Sequence, residues 1–249
     1  MAAKPVILLT NDDGINAPAL KLMKKALSNV AEIYIVAPDR DMSGTSQSLT
    51  LMNPVHLNWL SDDVVSVQGT PADCVHLALT GLLPKRPDLV VSGINIGPNM
   101  GDDTLYSGTL AAAFESIACG TPSLAFSLGT YKPQSYDTAI HYLKYFVKKI
   151  LKDPIRGNLV LNINIPDIDL SEVKGVSITE LGKRKPALPM IPYKSPRGKL
   201  CYWIGKPGEP NNVKKTSDFF AIANNYVSVT PLHTDLTAHD MKEAIDGWL

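Results

Sequence analysis

Two carboxylates stand side by side in the motif Asn11-Asp12-Asp13-Gly14, directly after the apolar run from Pro5 to Thr10. Adjacent ionised carboxylates at the end of a buried strand repel each other unless positive charge sits between or beside them. A divalent cation meets that requirement. The polar residues after two later apolar runs are also oxygen donors. One loop carries Asp39, Asp41, Ser43, Thr45, Ser46 and Ser48; another carries Asn95, Asn99, Asp102, Asp103, Ser107 and Thr109. With no His or Cys in these loops, the donor set favours Mg²⁺ or Mn²⁺ over Zn²⁺. An Asx-turn that caps the following helix accounts for one of the two aspartates and leaves the other unexplained.

Ser43-Gly44-Thr45 and Ser107-Gly108-Thr109 each place hydroxyls beside a glycine whose N–H can approach an anion. The second lies at an expected helix N-terminus, where free N–H groups and the helix dipole favour phosphate. Neither tripeptide is diagnostic alone; their shared position after strands gives them weight. The first strand is followed by neither a G-x-x-x-x-G-K-[ST] nor a G-x-G-x-x-G motif, which removes the usual support for a triphosphate or dinucleotide site. Ser43 lacks the G-x-S-x-G context of an activated nucleophile. Of the histidines, His76 and His141 fall in expected helices as packed or surface residues, and only His233 is retained as a possible site neighbour.

The elements that must position these loops alternate regularly. Pro5–Thr10 and Glu32–Pro38 read as strands covered on both faces. Between them, Leu20, Met23, Ala26 and Leu27 recur at helical spacing. Thr70-Pro71-Ala72-Asp73 is a helix start, with a cap, a Pro at the first position and an acid three residues on. Further strands are expected at Pro87–Gly93, after Pro122 and from Asn158. Helices are expected at Gly108–Gly120 and Asp137–Lys152, and a hairpin at about 49–67. This alternation predicts an α/β fold with a Rossmann-like, doubly wound, mostly parallel sheet, whose ligand site lies outside the carboxyl ends of the strands. The predicted organisation is an α/β catalytic domain over 1–182 and a β-rich C-terminal extension over 183–249. The extension reads as a strand at KLCYWIG, a hairpin strand from Tyr226 and a terminal helix over Ala238–Leu249 capped by Thr237.

Composition excludes several classes. The 249 residues are 45% hydrophobic and carry 24 Lys+Arg against 24 Asp+Glu, which excludes intrinsic disorder and argues against broad electrostatic binding to nucleic acid or anionic lipid. Cys74, Cys119 and Cys201 form neither an even disulfide set nor a C-x-x-C pair and read as reduced structural thiols. No apolar stretch approaches the roughly 20 residues that span a bilayer, and the N-terminus lacks a signal-peptide pattern. The expectation is a cytoplasmic protein.

The stretches ILLTNDDGINAPAL, VAPDRDMSGTSQSLT, GTPADCVHLAL and VVSGINIGPNMGDDTLYSGTLAAAFE, with LNINIP and YVSVTPLHTDLT further on, closely resemble the survival protein SurE family of 5′/3′-nucleotidases. Residues 183–217 match least. The resemblance implies a phosphatase that hydrolyses nucleoside 5′- and 3′-monophosphates with one divalent cation per subunit, Mg²⁺ or Mn²⁺. That cation would be held by Asp12, Asp13, Ser43 and Asn95, with both aspartates catalytic. It also implies subunits that exchange their C-terminal extensions, hence a homodimer or homotetramer. From loop position, Asn99, Ser107, Gly108 and Thr109 are the candidates for holding phosphate.

Three other readings compete. A zinc deacetylase on a similar sheet wants His ligands that these loops lack. A dehalogenase-type phosphatase wants a D-x-D rather than an adjacent pair. A non-catalytic nucleotide or phosphate sensor on the same metal site is separable from an enzyme only by assay.

Overall fold

The computed structural model describes residues 4–155 and 157–249. Its centre is a nine-stranded sheet. In chain order the first strands are β1 (Val6–Thr10), β2 (Glu32–Pro38), β3 (Leu57–Ser61), β4 (Val64–Val67), β5 (Leu89–Asn95), β6 (Ser123–Leu128) and β7 (Leu159–Ile165). Later strands are β8 (Val176–Ile178), β9 (Lys183–Arg184), β10 (Ile191–Lys194), β11 (Leu200–Trp203), β12 (Pro210–Asn211) and β13 (Val227–His233). The helices are α1 (Pro18–Leu27), α2 (Pro71–Leu77), α3 (Gly108–Ala118), α4 (Asp137–Lys152), α5 (Asp218–Ala223) and α6 (Lys242–Asp246). The sheet order is β3-β4-β2-β1-β5-β6-β7-β13-β8, and β4 through β7 in that order are all parallel.

All five residues of β1 are buried because helices cover both faces of the sheet. Ile7 and Leu9 join the core built with Leu20 and Met23 of α1 and Leu143 and Val147 of α4. Val6 and Leu8 point into the opposite core, with Cys74 and Val75 of α2. That two-sided burial is why the strand reads as a continuous apolar run rather than an alternation. The chain leaves β1 toward β2 on one side and returns to β5 on the other, so β1 and β5 flank the topological switch point. The loop after β1 therefore sits beside that after β5.

The helix start at Thr70 forms as a reciprocal cap. Thr70 Oγ1 accepts the Asp73 N–H at 3.1 Å, and Asp73 Oδ2 accepts the Thr70 N–H at 2.8 Å. Asp73 also accepts the Thr50 N–H at 2.8 Å and the Thr50 hydroxyl at 2.6 Å. One buried carboxylate thus anchors both α2 and the end of the loop that carries Ser43.

Several expectations are corrected. The hairpin expected at about 49–67 is confined to β3 and β4, which meet at Asp62–Asp63; residues 49–56 form no strand. The strand from Tyr226 is not part of a peripheral hairpin. As β13 it enters the central sheet, antiparallel to β7 and parallel to β8, so the sheet itself runs past the boundary expected at 182/183. Tyr226 lies just outside it. The terminal helix is shorter than expected, reduced to a 3-10 turn at His239–Met241 and α6, and the Thr237 side chain caps neither. KLCYWIG does form a strand, β11, paired with β10 in a small separate hairpin.

Candidate active site

Asp12 lies one residue past Asn11, which itself closes a turn. The Asn11 side chain accepts the Gly14 N–H at 3.2 Å and donates to the Gly14 carbonyl at 3.1 Å. Gly14 has φ +94°, and a Cβ there would come within 2.9 Å of the Arg40 backbone, so only glycine lets the first loop pass the second. The Met42 N–H donates to the Asp12 carbonyl at 2.8 Å, locking the loop after β2 onto the loop after β1.

The Asp12 side chain is 4% exposed and takes the Thr109 hydroxyl at 2.5 Å. A Cβ on Gly108 would lie 2.7 Å from the Asp12 Cβ, so the missing side chain is what lets α3 approach. Burial holds the Asp12 carboxyl above the ordinary range, opposed by the Thr109 hydroxyl and N–H and reinforced by Asp41. Asp13 is pushed up to about 7, first by burial and then by repulsion from Asp12, with the Ile96 N–H pulling the other way and Asp41 adding to the rise. Both groups are costly as anions where they stand.

Among the described residues, the buried side-chain atoms with no hydrogen-bond partner are Thr10 Oγ1, Asp13 Oδ2, Asp39 Oδ1 and Ser92 Oγ. Thr10 ends β1, Asp13 follows it by three residues, Asp39 directly follows β2, and Ser92, midway along β5, is the register partner of Thr10. Buried polar atoms without a partner in the protein are costly and suit a place where a bound group accepts or donates. Oxygen donors, an orphaned carboxylate oxygen and excess negative charge together fit a hard divalent cation.

The other predicted residues are placed as follows. Asn95 is the last residue of β5 and 9% exposed; its amide nitrogen donates to the Gly97 carbonyl at 2.8 Å, which turns the side-chain oxygen into the atom available to a ligand. Ser43 is exposed, and its hydroxyl donates to Asp41 at 2.6 Å. Ser107 caps α3 by accepting the Leu110 N–H at 3.1 Å. Asn99 donates to Ser127 Oγ at 2.7 Å and to Thr109 Oγ1 at 3.4 Å. Thr109 is committed to Asp12, so the N-terminus of α3 already serves a carboxylate of the protein. Asp102 and Asp103 point away from this centre. Asp102 pairs with Lys183 at 2.8 Å and Asp103 with Arg184 at 2.6 Å, tying a 3-10 turn at Gly101–Tyr106 to β9. His233 lines a cavity of about 400 Å³ together with Gln47, Thr104, Leu105 and Phe114, a cavity whose wall does not include the acidic pair.

The model of the family described as survival protein SurE matches residues 7–187. The chain belongs to the SurE family. It is 49% identical over 244 residues to the 5′/3′-nucleotidase SurE of Klebsiella pneumoniae (strain 342), covering 98% of this chain and 96% of that protein. To the 5′/3′-nucleotidase SurE of Erwinia tasmaniensis it is 48% identical over the same shares. The crystal structure of the SurE protein from Aquifex aeolicus superposes with a TM-score of 0.85 at 40% identity, covering 98% of this chain and 99% of that one. The mostly parallel α/β sheet with added C-terminal strands is therefore the SurE fold.

Sequence reasoning missed the residues behind Asn99 in this SurE chain. Asn164 Oδ1 accepts the Asn99 N–H at 2.9 Å, and the Asn162 and Asn164 amides donate to the Asn99 carbonyl at 2.8 and 3.0 Å. The signal was present in LNINIP, where two asparagines share one face of an otherwise apolar strand. A fully buried polar pair in such a strand requires dedicated partners. Asp41, which holds Ser43, was read only as one of several loop oxygens.

Proposed function

We infer that this chain is a nucleotidase that hydrolyses nucleoside 5′- and 3′-monophosphates to nucleoside and phosphate. The observation that carries this reading is the adjacent Asp12–Asp13 pair, the first buried and the second half-buried, at the switch point of a chain 49% identical, over nearly its whole length, to a 5′/3′-nucleotidase. Asp12, Asp13, Ser43 and Asn95 would hold one divalent cation, Mg²⁺ or Mn²⁺. When bound there, such an ion supplies positive charge against phosphate oxygens and lowers the pKa of water. Thr109 fixes the Asp12 carboxylate with its hydroxyl and N–H, and Asp13 presents an unshared Oδ2. Asn99, Ser107 and Gly108 are the proposed phosphate contacts, with Asn162 and Asn164 setting the Asn99 backbone; Thr109 acts on phosphate through Asp12.

The test is phosphate release from AMP, GMP and their 3′ isomers by EDTA-stripped protein, before and after adding Mn²⁺ or Mg²⁺. Release restored by the cation is the expected result. Nucleotide binding with no release under either ion would instead establish a sensor.

The same reading includes a homodimer or homotetramer assembled through residues 183–249. Its support is the exposed apolar surface of β10 and β11, where Ile191, Leu200, Tyr202 and Trp203 are each more than half exposed. Sedimentation at micromolar concentration should give a dimer or larger; a monomer overturns this. Among the described residues no helix is long and apolar enough to cross a membrane. A cytoplasmic location is proposed on the three free thiols.

A further inference from the structure

We propose that His76, Glu115 and Cys119 form a second metal site, selective for a thiophilic divalent cation of the zinc type. His76 lies on α2; Glu115 on α3 and Cys119 just past its last residue are four positions apart, so they share one face toward α2. His76 Nδ1 lies 2.7 Å from Glu115 Oε1, and Cys119 Sγ lies 3.4 Å from the same oxygen. The three donor atoms all fall within 4.8 Å of one another. A tetrahedral ion with bonds of about 2.0–2.3 Å sets its ligand atoms roughly 3.3–3.8 Å apart, so small side-chain rotations close the set around it.

The chemistry differs from that of the acidic pair in kind. Imidazole nitrogen and thiolate sulfur select zinc-like ions and discriminate against Mg²⁺, whereas the Asp12–Asp13 site offers oxygen alone. The two sites are also separated in space. Glu115 is seven residues beyond Gly108 on α3, about 10 Å along the helix axis. The reading of the acidic pair as a nucleotidase centre is not needed for this one. The His76 side chain is 48% exposed, so an ion reaches the site from solvent and a water completes its coordination.

Binding is coupled to a proton. Cys119 gives its thiol proton to solvent, the His76 ring keeps its proton on Nε2 so that Nδ1 is free to bind, and the contacts of Sγ and Nδ1 with Glu115 are replaced by bonds from all three groups to the ion. Half-burial and the Glu115 carboxylate hold that thiol above its ordinary pKa, opposed by the Arg86 guanidinium, which is bonded to the Cys119 carbonyl.

The test uses full-length protein stripped with EDTA and carrying Cys201→Ser, which removes the exposed thiol. Titration with Cd²⁺ in the presence of excess Mg²⁺ should give a thiolate-to-metal charge-transfer absorption that saturates at one ion per chain, and Zn²⁺ should displace it. The absorption should persist in Asp13→Asn and vanish in Cys119→Ser. In His76→Ala, affinity should fall at least tenfold while unfolding temperature and phosphatase activity stay at the parent's values. Absence of the absorption in the parent overturns the proposal, as does its persistence in Cys119→Ser. Because His76 is exposed and its removal leaves no cavity, unchanged affinity in His76→Ala also overturns it even if the cysteine variant folds poorly.

Discussion

Asp13→Asn is expected to lower kcat for nucleoside monophosphates about 1000-fold with Mn²⁺ or Mg²⁺ present, and at the same time to stabilise the metal-free protein. The loss follows from removing an anionic ligand whose effect on the transition state is worth several kcal/mol. The gain follows from the fold. Asp13 is raised from 3.8 to about 7 by burial and by the neighbouring Asp12, so the folded chain resists ionising it. Between those two values the folded state keeps a proton that the unfolded state has released, and stability must fall as pH rises through that window. Above about pH 7 the whole cost is in place. Asparagine removes that contribution, so the variant should unfold at a higher temperature than the parent near pH 8 and at a similar one near pH 4. Added Mn²⁺ should stabilise the parent more near pH 8 than near pH 5, and the variant little at either. Near-normal turnover in the variant would refute the site. A variant less stable than the metal-free parent near pH 8 would show that Asp13 is structural.

Asp218→Ala should be the most destabilising single change in the C-terminal third, at about 3 kcal/mol or more. Asp218 is fully buried and accepts three backbone N–H groups: Gly101 at 2.7 Å, Gly182 at 2.9 Å and Phe219 at 2.8 Å. Burial raises its pKa, while those N–H groups and Arg184 oppose the rise. Arg184 also lies over the Phe219 ring, 4.8 Å from its centroid, and is bonded to Asp103. Alanine leaves the N–H donors unsatisfied and frees the turn at Gly101–Tyr106 from α5. For a domain of this size the loss corresponds to a fall of roughly 6–12 °C in Tm. Asp218→Asn, which keeps an acceptor oxygen, should lose about half as much. Denaturant unfolding of the three proteins decides it, and a change under about 0.5 kcal/mol in the alanine variant would sink the assignment.

What could be read from the chain was what neighbours in sequence determine. Glu32–Pro38 and Asp137–Lys152 formed with the expected bounds, the first because burial on both faces makes its apolar run unbroken, the second because its apolar stripe keeps helical period. The Thr70 cap was legible because cap and acid lie three residues apart. The acidic pair stood out because two adjacent charges at a strand end have few structural explanations. The remainder depended on distant partners. The place of β13 is set by pairing Ser228–His233 with Leu159–Asn164, and no local pattern distinguishes that from a hairpin. Asp102 and Asp103 share the loop of Asn99 yet serve Lys183 and Arg184, some 80 positions away. The His76–Glu115–Cys119 cluster joins two helices that show no metal-binding spacing in sequence.

The late return of β13 also orders the birth of the molecule. On the ribosome β7 emerges with its outer edge open, and Leu159–Asn164 have no neighbouring strand on that side until residues 228–233 are synthesised. For that interval the nascent chain carries a sticky, unpaired border of the kind that recruits other strands. A ribosome that stops at residue 182 therefore releases a sheet without β13, with β8 left unpaired and an edge primed to aggregate.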